Sequence, residues 1–354
     1  MEARAGGLAD GWRAEAFGED SRVTGGYAYF PPPLIGCMPE IGAYKPGDEE
    51  AVVRLWNKLL RYDPVDLKVF ERKVLLDPNF EAEGLKVARG EGGVEGFALC
   101  LVRRYPLFYQ GLEEEHGWIT ALAFEPQRPE VGDRLVEEAL AFFRARGRRI
   151  VWFATYTPNY FFPGVDPDRY GWLFQLLERH GFEWVYEALS MDAQLWPDYA
   201  PPPEVEELER KLESEGVEVR PLETRDIYPF LKFLERSFPA DWYRHALELL
   251  QSGCEKGQIL VAVKGGEVLG YCQYWHSEDY NWHRPGAHFG PFGVREDARG
   301  RGIGTVLLAR CLWEMRKRGI HNAFVLWTDE QAARLYSRFG FKVTRRYYVM
   351  RRRL

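Results

Sequence analysis

Apolar residues recur along the chain at helical spacing in two long stripes, one in each half. Their positions are Val136, Ala139, Leu140 and Phe143 in the first stripe, and Leu308, Cys311, Leu312 and Met315 in the second. Both follow the i, i+3, i+4, i+7 spacing that places side chains on one face of a helix. Gly147 and Gly319 come shortly after the stripes, and glycine commonly ends a helix. The pattern predicts two long amphipathic helices.

Short apolar runs of strand length surround both stripes in the same order. The hairpin positions Val87, Ala88, Val94 and Gly96 recur as Val261, Ala262, Val268 and Gly270. A strand is predicted after each long helix, at 150–155 and 323–328, and each half then closes with a short helix and a last strand. The chain is therefore expected to contain two copies of one fold.

The order of elements in each copy is strand, helices, hairpin, strand, helix, strand, helix, strand. This order is typical of α/β (α+β) layering, with a mixed, mostly antiparallel central sheet flanked by helices. The length of 354 residues also suits two domains. A proline-rich stretch and a charged helix separate the copies, and such composition marks a boundary. We expect an N-terminal extension at 1–38, a first domain at 39–196, a linker and connecting helix at 197–216, and a second domain at 217–354.

Composition restricts the class of protein. With 46% hydrophobic residues the chain is too apolar for a disordered protein, yet it has no apolar run long enough to cross a bilayer. A net charge of -6 argues against a protein that coats nucleic-acid phosphates, and the arginines at 351–353 are interpreted as a short solvated end. The five cysteines are scattered, which disfavours a disulfide scaffold and a zinc site. A cytoplasmic protein is expected, with no nucleic-acid, membrane or metal partner.

A glycine-rich segment joins a strand to the second long helix. It consists of Arg299, Gly300, Arg301, Gly302, Ile303, Gly304 and Thr305. Glycines let the backbone approach an anion closely, and the N–H groups of a first helical turn attract it. Arg299 and Arg301 add positive charge. The segment predicts a phosphate-binding loop, although similar turns also occur as plain connections.

The strand before this loop contains a proline and two glycines. Pro291 lies between Gly290 and Gly293 in an otherwise apolar run from 288 to 294. Proline and glycine inside a central strand indicate a β-bulge, where the pairing with a neighbouring strand is interrupted. The backbone groups of the following residues, Phe292, Gly293 and Val294, then become available to a ligand.

The second copy resembles the GCN5-related N-acetyltransferase (GNAT) family. Arg299, Gly302 and Gly304 match the family's Q/R-x-x-G-x-G/A loop, and a later pattern is met at Ala332, Leu335, Tyr336, Gly340 and Phe341. Asp329 stands where the family has Asn, and it can still cap the helix. The resemblance is strong over 217–354 and weak over 40–195, so the chain resembles a tandem protein with two acetyltransferase-like domains.

The resemblance implies that the second copy binds acetyl-CoA as its cosubstrate. The pyrophosphate would lie on residues 299–305, and the pantetheine arm would lie beside Phe292, Gly293 and Val294. Because Asp329 replaces Asn, we expect its contact to the pantetheine arm to differ from that in the family. No metal is implied.

The resemblance also implies catalytic roles for two residues. An amine with a pKa of ~10.4 must lose a proton before it attacks the thioester. His288 stands where some family members have a Glu base, and an ordinary buried histidine is the alternative; His276, Glu278, Asp279 and His283 could replace it as base. Tyr336 matches the family's proton donor to the leaving thiolate, although a tyrosine that only packs in the core is also possible. A backbone N–H near Val294 would stabilise the oxyanion.

The first copy lacks the corresponding residues. Glu130 and Asp133 bring negative charge to its loop, Trp118 stands in place of His288, and Leu177 stands in place of Tyr336. We expect a degenerate domain with a structural or substrate-shaping role. Its aromatic loop at 156–163 is expected to pack against protein rather than to line an acceptor pocket.

The function expected from these observations is acetyl-CoA-dependent N-acetyl transfer to a primary amine of a small molecule. The alternatives are a non-catalytic CoA-binding or regulatory module, and an acyltransferase that acts on a protein amine. Acceptor identity is expected to depend on loops around 62–80, 104–116, 156–170 and 276–286. The sequence is compatible with a monomer or a homodimer.

Overall fold

The computed structural model describes residues 38–276 and 285–354. Its strands are β1 Glu40–Ala43, β2 Leu85–Gly90, β3 Gly93–Leu101, β4 His116–Phe124, β5 Ile150–Phe153, β6 Glu183–Gln194, β7 Glu218–Pro221, β8 Ile259–Lys264, β9 Glu267–His276, β10 Ala287–Val294, β11 Asn322–Thr328 and β12 Lys342–Arg353. Its helices are α1 Glu49–Leu59, α2 Leu67–Phe70, α3 Pro129–Ala145, α4 Gly171–Arg179, α5 Pro203–Ser214, α6 Ile227–Ser237, α7 Ala240–Gln251, α8 Ile303–Lys317 and α9 Glu330–Ser337. A π-helical turn, Glu71–Leu75, continues α2. The N-terminal extension lies outside the described residues, apart from Met38.

All twelve strands belong to one sheet. Their order is β1-β2-β3-β4-β5-β12-β6-β11-β10-β9-β8-β7. Neighbouring strands run antiparallel except for two parallel pairs, β4 with β5 and β10 with β11. The two parallel pairs occupy equivalent places in the two copies. The prediction of a mixed, mostly antiparallel sheet flanked by helices is therefore confirmed.

The two copies exchange their last strands at the centre of this sheet. Strand β12 of the second copy lies between β5 and β6 of the first, while β6 lies between β12 and β11 of the second. The residue pairs are equivalent on the two sides, since Arg352 pairs with Val151 and Ala193 pairs with Ala323. The division of the chain between 196 and 217 thus has no counterpart in the sheet, which runs without interruption through both copies.

The two predicted amphipathic helices supply much of the buried core. The stripe on α3 packs with the first-copy strands, and the stripe on α8 packs with those of the second copy. The aromatic loop of the first copy is also buried, at Tyr156, Phe161 and Phe162. Tyr160 contacts Trp327 of β11, with ring centroids 5.4 Å apart. The expectation that this loop packs against protein agrees with these contacts.

Three expectations from the sequence need correction. The arginines at 351–353 are not a solvated end, because they belong to β12 and pair with Trp152, Val151 and Ile150 of β5. His276 is the last residue of β9 rather than a loop residue. The segment 62–80 is not a loop throughout, because α2 and the π-helical turn occupy its middle. None of the described helices is long and apolar enough to span a lipid bilayer.

Candidate active site

The site forms where β10 separates from β11. Ala287 and His288 of β10 pair with Ala323 and Phe324 of β11, and the register ends there although both strands continue. On the other side of β10 the register with β9 shifts between Phe289 and Phe292, which is the predicted bulge. Gly290, inside the bulge, has a φ of +120°, a conformation that side-chain-bearing residues rarely adopt. The strands therefore open into a cleft beyond His288.

The predicted phosphate-binding loop closes one end of this cleft. Gly302 is the N-cap of α8 and lies in the left-handed region with a φ of +89°. The backbone conformation therefore favours glycine, and a Cβ at this position would also lie 2.9 Å from the end of the Leu208 side chain of α5. The first N–H groups of α8 have no partner within the helix. They can bind an anion where the loop turns into the helix.

The two arginines of the loop differ in their surroundings. Arg299 is exposed, and its Nε donates to the carbonyl oxygen of Val294, 3.1 Å away. Arg301 forms an ion pair with Glu215, and this hydrogen bond lowers the pKa of the glutamate. The positive charge of Arg301 is thus matched by a protein carboxylate, so the loop carries less unmatched charge than its sequence indicated.

His288 lies at the apex of the cleft, on the last residue of β10 that pairs with β11. Its side chain is 6% exposed, and its ring centroid is 5.4 Å from that of Phe324. Its register partner on β9 is Trp275. Opposite residues of an antiparallel pair share a face of the sheet, so His288 and Trp275 both face α6 and α7. Glu278, Asp279 and His283 lie outside the described residues.

Tyr336 reaches the cleft from the opposite face of the sheet. Its ring contacts Phe289 and Phe292 of β10, with centroids 5.9 and 6.1 Å apart. Burial raises the pKa of its hydroxyl well above that of a free phenol, although a hydrogen bond with the Thr328 side chain acts in the other direction. The hydroxyl therefore keeps its proton at neutral pH. An imidazole and a phenol thus lie on opposite sides of the cleft.

Asp329 is the N-cap of α9. Its Oδ1 accepts a hydrogen bond from the backbone N–H of Ala332 at 2.8 Å. The carboxylate thus performs the capping role that the sequence indicated. Its contact with a pantetheine arm stays a prediction.

The sequence did not single out a set of residues that α7 and β9 place beside the bulge. Phe238 and Trp242 stack with ring centroids 4.6 Å apart. A Cβ on Gly293 would lie 2.5 Å from the Phe238 ring, so these two aromatic rings pack directly on the bulged strand. Tyr271, Gln273 and Trp275 of β9 lie on the same side of the sheet. The signal that could have found them is the amphipathic pattern of 240–251, which predicts a second helix before the hairpin.

The corresponding cleft of the first copy contains bulky side chains. Trp118, in the place of His288, is buried against Tyr156 with ring centroids 5.4 Å apart. Phe124 contacts Trp172, at the start of α4, with ring centroids 5.0 Å apart. A Cβ on Gly132, in the first turn of α3, would lie only 2.6 Å from the Phe124 ring. Aromatic rings therefore cover the helix N-terminus that would correspond to the loop of the second copy.

Residues 227–341 match the model of the acetyltransferase (GNAT) family. This segment contains the bulged strand, the glycine-rich loop and Tyr336. Residues 227–341 are a GNAT acetyltransferase domain. The resemblance drawn from the loop and helix motifs is confirmed for the second copy. Comparison with curated protein sequences gave no match.

Solved structures show the GNAT fold across both copies. One is the glucosamine N-acetyltransferase region of a fungal multi-domain β-N-acetylglucosaminidase, with a TM-score of 0.73 at 21% identity; the match covers 90% of this chain and 38% of that one. A GCN5-related N-acetyltransferase from Sphaerobacter thermophilus gives 0.63 at 20% identity, with 89% and 95% covered. A tandem GNAT protein of clavulanic acid biosynthesis gives 0.59 at 14% identity, with 89% and 98% covered. At these identities the likeness extends to the fold alone.

Proposed function

We propose that the second copy transfers an acetyl group from acetyl-CoA to a primary amine of a small molecule. The observation that carries this proposal is the cleft beyond His288. There, a bulged strand leaves its parallel neighbour directly before a glycine-rich loop and a helix N-terminus. The GNAT family in general performs acetyl-CoA-dependent N-acetyl transfer, and the GNAT domain at 227–341 contains this cleft.

The residues of the cleft suit the cosubstrate. Residues 299–305 would hold the pyrophosphate through the first N–H groups of α8 and through the exposed Arg299. The half-buried strand segment at Phe292, Gly293 and Val294 has its side toward β11 open for the pantetheine amides. Bound there, acetyl-CoA supplies the acyl group as a thioester. All other steps fall to side chains and backbone groups of this chain.

We assign the proton transfers to His288 and Tyr336. The imidazole of His288 lies at the apex of the cleft and would take a proton from the acceptor ammonium, through a water molecule. A backbone N–H of the bulged segment would hydrogen-bond the oxygen that becomes negative. Tyr336, which keeps its proton because it is buried, would donate it to the leaving sulfur. The base must reach the attacking amine and the acid must reach the leaving sulfur, which suits residues on opposite sides of the cleft.

We further propose that the first copy is degenerate and has no acetyl-CoA site of its own. This is supported by Trp118 and Leu177 at the two catalytic positions, and by the Phe124 and Trp172 rings over the start of α3 and α4. Its role would be to complete the shared sheet and to pack against the acceptor side of the second copy.

Release of CoA in the presence of an amine panel tests this function. The panel contains glucosamine, an amino acid, a diamine and a peptide with a free N-terminus, measured with the wild type, His288→Ala and Tyr336→Phe. We expect turnover of at least one small amine, and a loss of kcat of roughly 100-fold or more in each variant, with little change in acetyl-CoA affinity. His116→Ala, in the first copy, is the matched control and should behave as the wild type.

Two results would decide against the proposal. Tight binding of acetyl-CoA without turnover of any amine would favour a non-catalytic CoA-binding or regulatory module. Turnover of the peptide alone would favour a protein acyltransferase.

The proposed degeneracy of the first copy has its own test. Occupancy of the first copy, seen in a complex with acetyl-CoA, would contradict it.

A further inference from the structure

One face of β9 carries three buried residues beside the cleft. Side chains alternate along a strand, so Tyr271, Gln273 and Trp275 share the face that α6 and α7 cover. Tyr271 is the register partner of Gly293, and Trp275 is the partner of His288. Gln273 lies between them, opposite the bulge at Gly290 and Pro291. Its carboxamide is therefore next to the place where the amine and the thioester are proposed to meet.

The carboxamide of Gln273 has unmet hydrogen-bonding capacity. The residue is 0% exposed, and within the described part of the chain neither its Oε1 nor its Nε2 has a hydrogen-bond partner. The hydroxyl of Tyr271, also 0% exposed, likewise has no hydrogen-bond partner among the described residues. Buried polar groups in native proteins almost always have partners, and those without one in the free protein commonly bind a ligand or water. Two such groups on one face indicate a place where a polar ligand binds.

The charged side chains described around this face bond to other groups of the protein. On α7, Arg244 bonds Asp241 at 3.0 Å and also pairs with Glu248, and His245 lies 3.5 Å from Asp241. Lys73, from the π-helical turn of the first copy, donates to the carbonyl oxygen of Tyr160 at 3.0 Å. Of the described groups on this face, the Gln273 carboxamide and the Tyr271 hydroxyl are without a partner, and both are neutral. Such a set is a poor site for a carboxylate or phosphate, which requires a cation or several free donors.

Two aromatic rings form an apolar surface beside the cleft. Phe238 and Trp242 are half-buried and stack over Gly293, which has no side chain to hold them away. They offer an apolar wall next to neutral hydrogen-bonding groups. A hydroxyl both donates and accepts, as does a carboxamide, so the two groups can bond reciprocally.

We propose that Gln273 binds a hydroxyl group of the acceptor, and that the acceptors are amines carrying neutral hydroxyl groups, of the amino-sugar or amino-alcohol class. Tyr271 provides the second neutral contact, and the Phe238 and Trp242 rings cover the carbon skeleton. This inference rests on the proposed N-acetyl transfer and names the substrate class of that site. Gln273 acts as a specificity-determining residue and takes no proton.

A matched pair of acceptors tests the assignment. Values of kcat and KM are measured for 2-aminocyclohexanol and for cyclohexylamine, which lacks the hydroxyl, with the wild type and Gln273→Met. We expect the wild type to prefer the hydroxylated amine, and Gln273→Met to reduce that preference roughly 10- to 100-fold through KM. Activity on cyclohexylamine and affinity for acetyl-CoA should not change. Glucosamine, measured in parallel, should follow the hydroxylated amine.

Gln258→Met is the control for loss of a buried glutamine. Gln258 is 4% exposed and accepts a hydrogen bond from the Glu255 N–H at 2.6 Å, so its carboxamide already has a structural partner. This variant should lower the melting temperature and leave the preference between the two amines unchanged. Gln273→Met should leave the melting temperature the same or higher, because it removes an unpartnered buried group.

The outcomes separate this inference from the function on which it rests. If the wild type acetylates both amines equally, or if Gln273→Met keeps the wild-type preference, the assignment of Gln273 is wrong while the N-acetyl transfer stands. If the wild type binds acetyl-CoA but acetylates no amine, the proposed function is rejected and the acceptor class with it.

Discussion

Lys73 is a buried charged residue at the place where the first copy meets α7. Its side chain is 5% exposed, and its Nζ lies 5.3 Å from the centroid of the Phe161 ring. Burial, together with the nearby positive charge of Arg244, lowers its pKa to about 7, while Asp241 acts in the opposite direction. The lysine therefore loses its proton near neutral pH in the folded protein.

The free energy of unfolding should consequently rise with pH above about 7. An unfolded lysine keeps its proton up to ~10.4, so between these values the unfolded chain binds more protons than the folded one, and the folded state gains about 1 kcal/mol per pH unit. Below pH 7 the full cost of burying the ammonium is present. Lys73→Met should remove this increase, as measured by urea unfolding at pH about 7 and about 9. A stability difference between wild type and variant that is equal at both pH values would contradict the shift.

The cap at Asp329 gives a second prediction for a single side chain. Asp329→Ala removes the acceptor of the Ala332 N–H and should lower the free energy of unfolding by about 1 kcal/mol. Asp329→Asn keeps a capping oxygen and restores the residue of the family motif, so its stability should match the wild type in the same urea titration. Equal losses of stability in both variants would show that Asp329 stabilises the protein through its charge rather than through the capping hydrogen bond.

Among elements, the start of α8 has a geometry that restricts its sequence. Gly302→Ala places a Cβ on a residue with a φ of +89° and against Leu208. We expect a loss of about 1–2 kcal/mol in stability and a fall in acetyl-CoA affinity of roughly tenfold or more, because relief of the positive φ changes the backbone directly before the first N–H groups of α8. Calorimetric titration with acetyl-CoA measures the second effect.

Gly319→Ala at the other end of α8 is the matched control. Its φ is +75°, and no atom lies within 4 Å of the added Cβ. The backbone strain is thus similar, but the residue is far from the loop along the helix. Stability should fall, whereas affinity for acetyl-CoA should equal that of the wild type. If the two alanine variants bind acetyl-CoA equally well, the loop does not hold the cosubstrate.

The helices and strands were largely predictable, because each combines a clear apolar period with a glycine or proline at its end. The stripe of α8, the bulge before it and the loop glycines could all be assigned from spacing and residue type. The burial of Gln273 and Lys73 could not be predicted, because the residue type alone does not show whether a glutamine or a lysine is solvated or buried. Their burial depends on α7, which the sequence analysis does not identify, and on the π-helical turn, which lies in a segment that it expects to be a loop.

For the whole molecule, the exchanged strands join the stability of one copy to that of the other. Arg345 of β12 bonds Asp63 at 2.6 Å and Asp166 at 2.8 Å, both in the first copy, and its side chain is 9% exposed. Arg345→Met removes the cation that Asp63 bonds, whereas Asp166 keeps its ion pair with Arg169, and the change should cost about 3 kcal/mol. Because β12 and β6 belong to one ladder, tryptophan fluorescence and far-ultraviolet circular dichroism should report one common unfolding transition.

The neighbouring Arg346 provides the control for this change. It pairs with Glu187 on the surface, where its side chain is 52% exposed, and exposed pairs contribute about 1 kcal/mol or less. Arg346→Met should therefore have little effect. Two separate transitions, with only one moved by Arg345→Met, would mean that the copies unfold independently.

The exchange itself was beyond prediction from the sequence. The apolar alternation of β6 and β12 specifies which face of each strand is buried. It does not specify whether the adjacent strand comes from the same copy or from the other one. The repeat indicated two copies, and the proline-rich stretch indicated a boundary between them. Neither signal carries information on how the last strands are shared.

The order of these strands also has a consequence for synthesis on the ribosome. When the first copy has emerged, β5 and β6 are both present, but β12, which pairs with each of them, has not yet been made. One edge of β5 and both edges of β6, which pairs only with β12 and β11, therefore stay open while about 150 further residues are translated, although nascent domains usually fold in turn. The first copy can complete its sheet only after the second has been made, so its nascent form is a natural target for chaperones that protect unpaired edges.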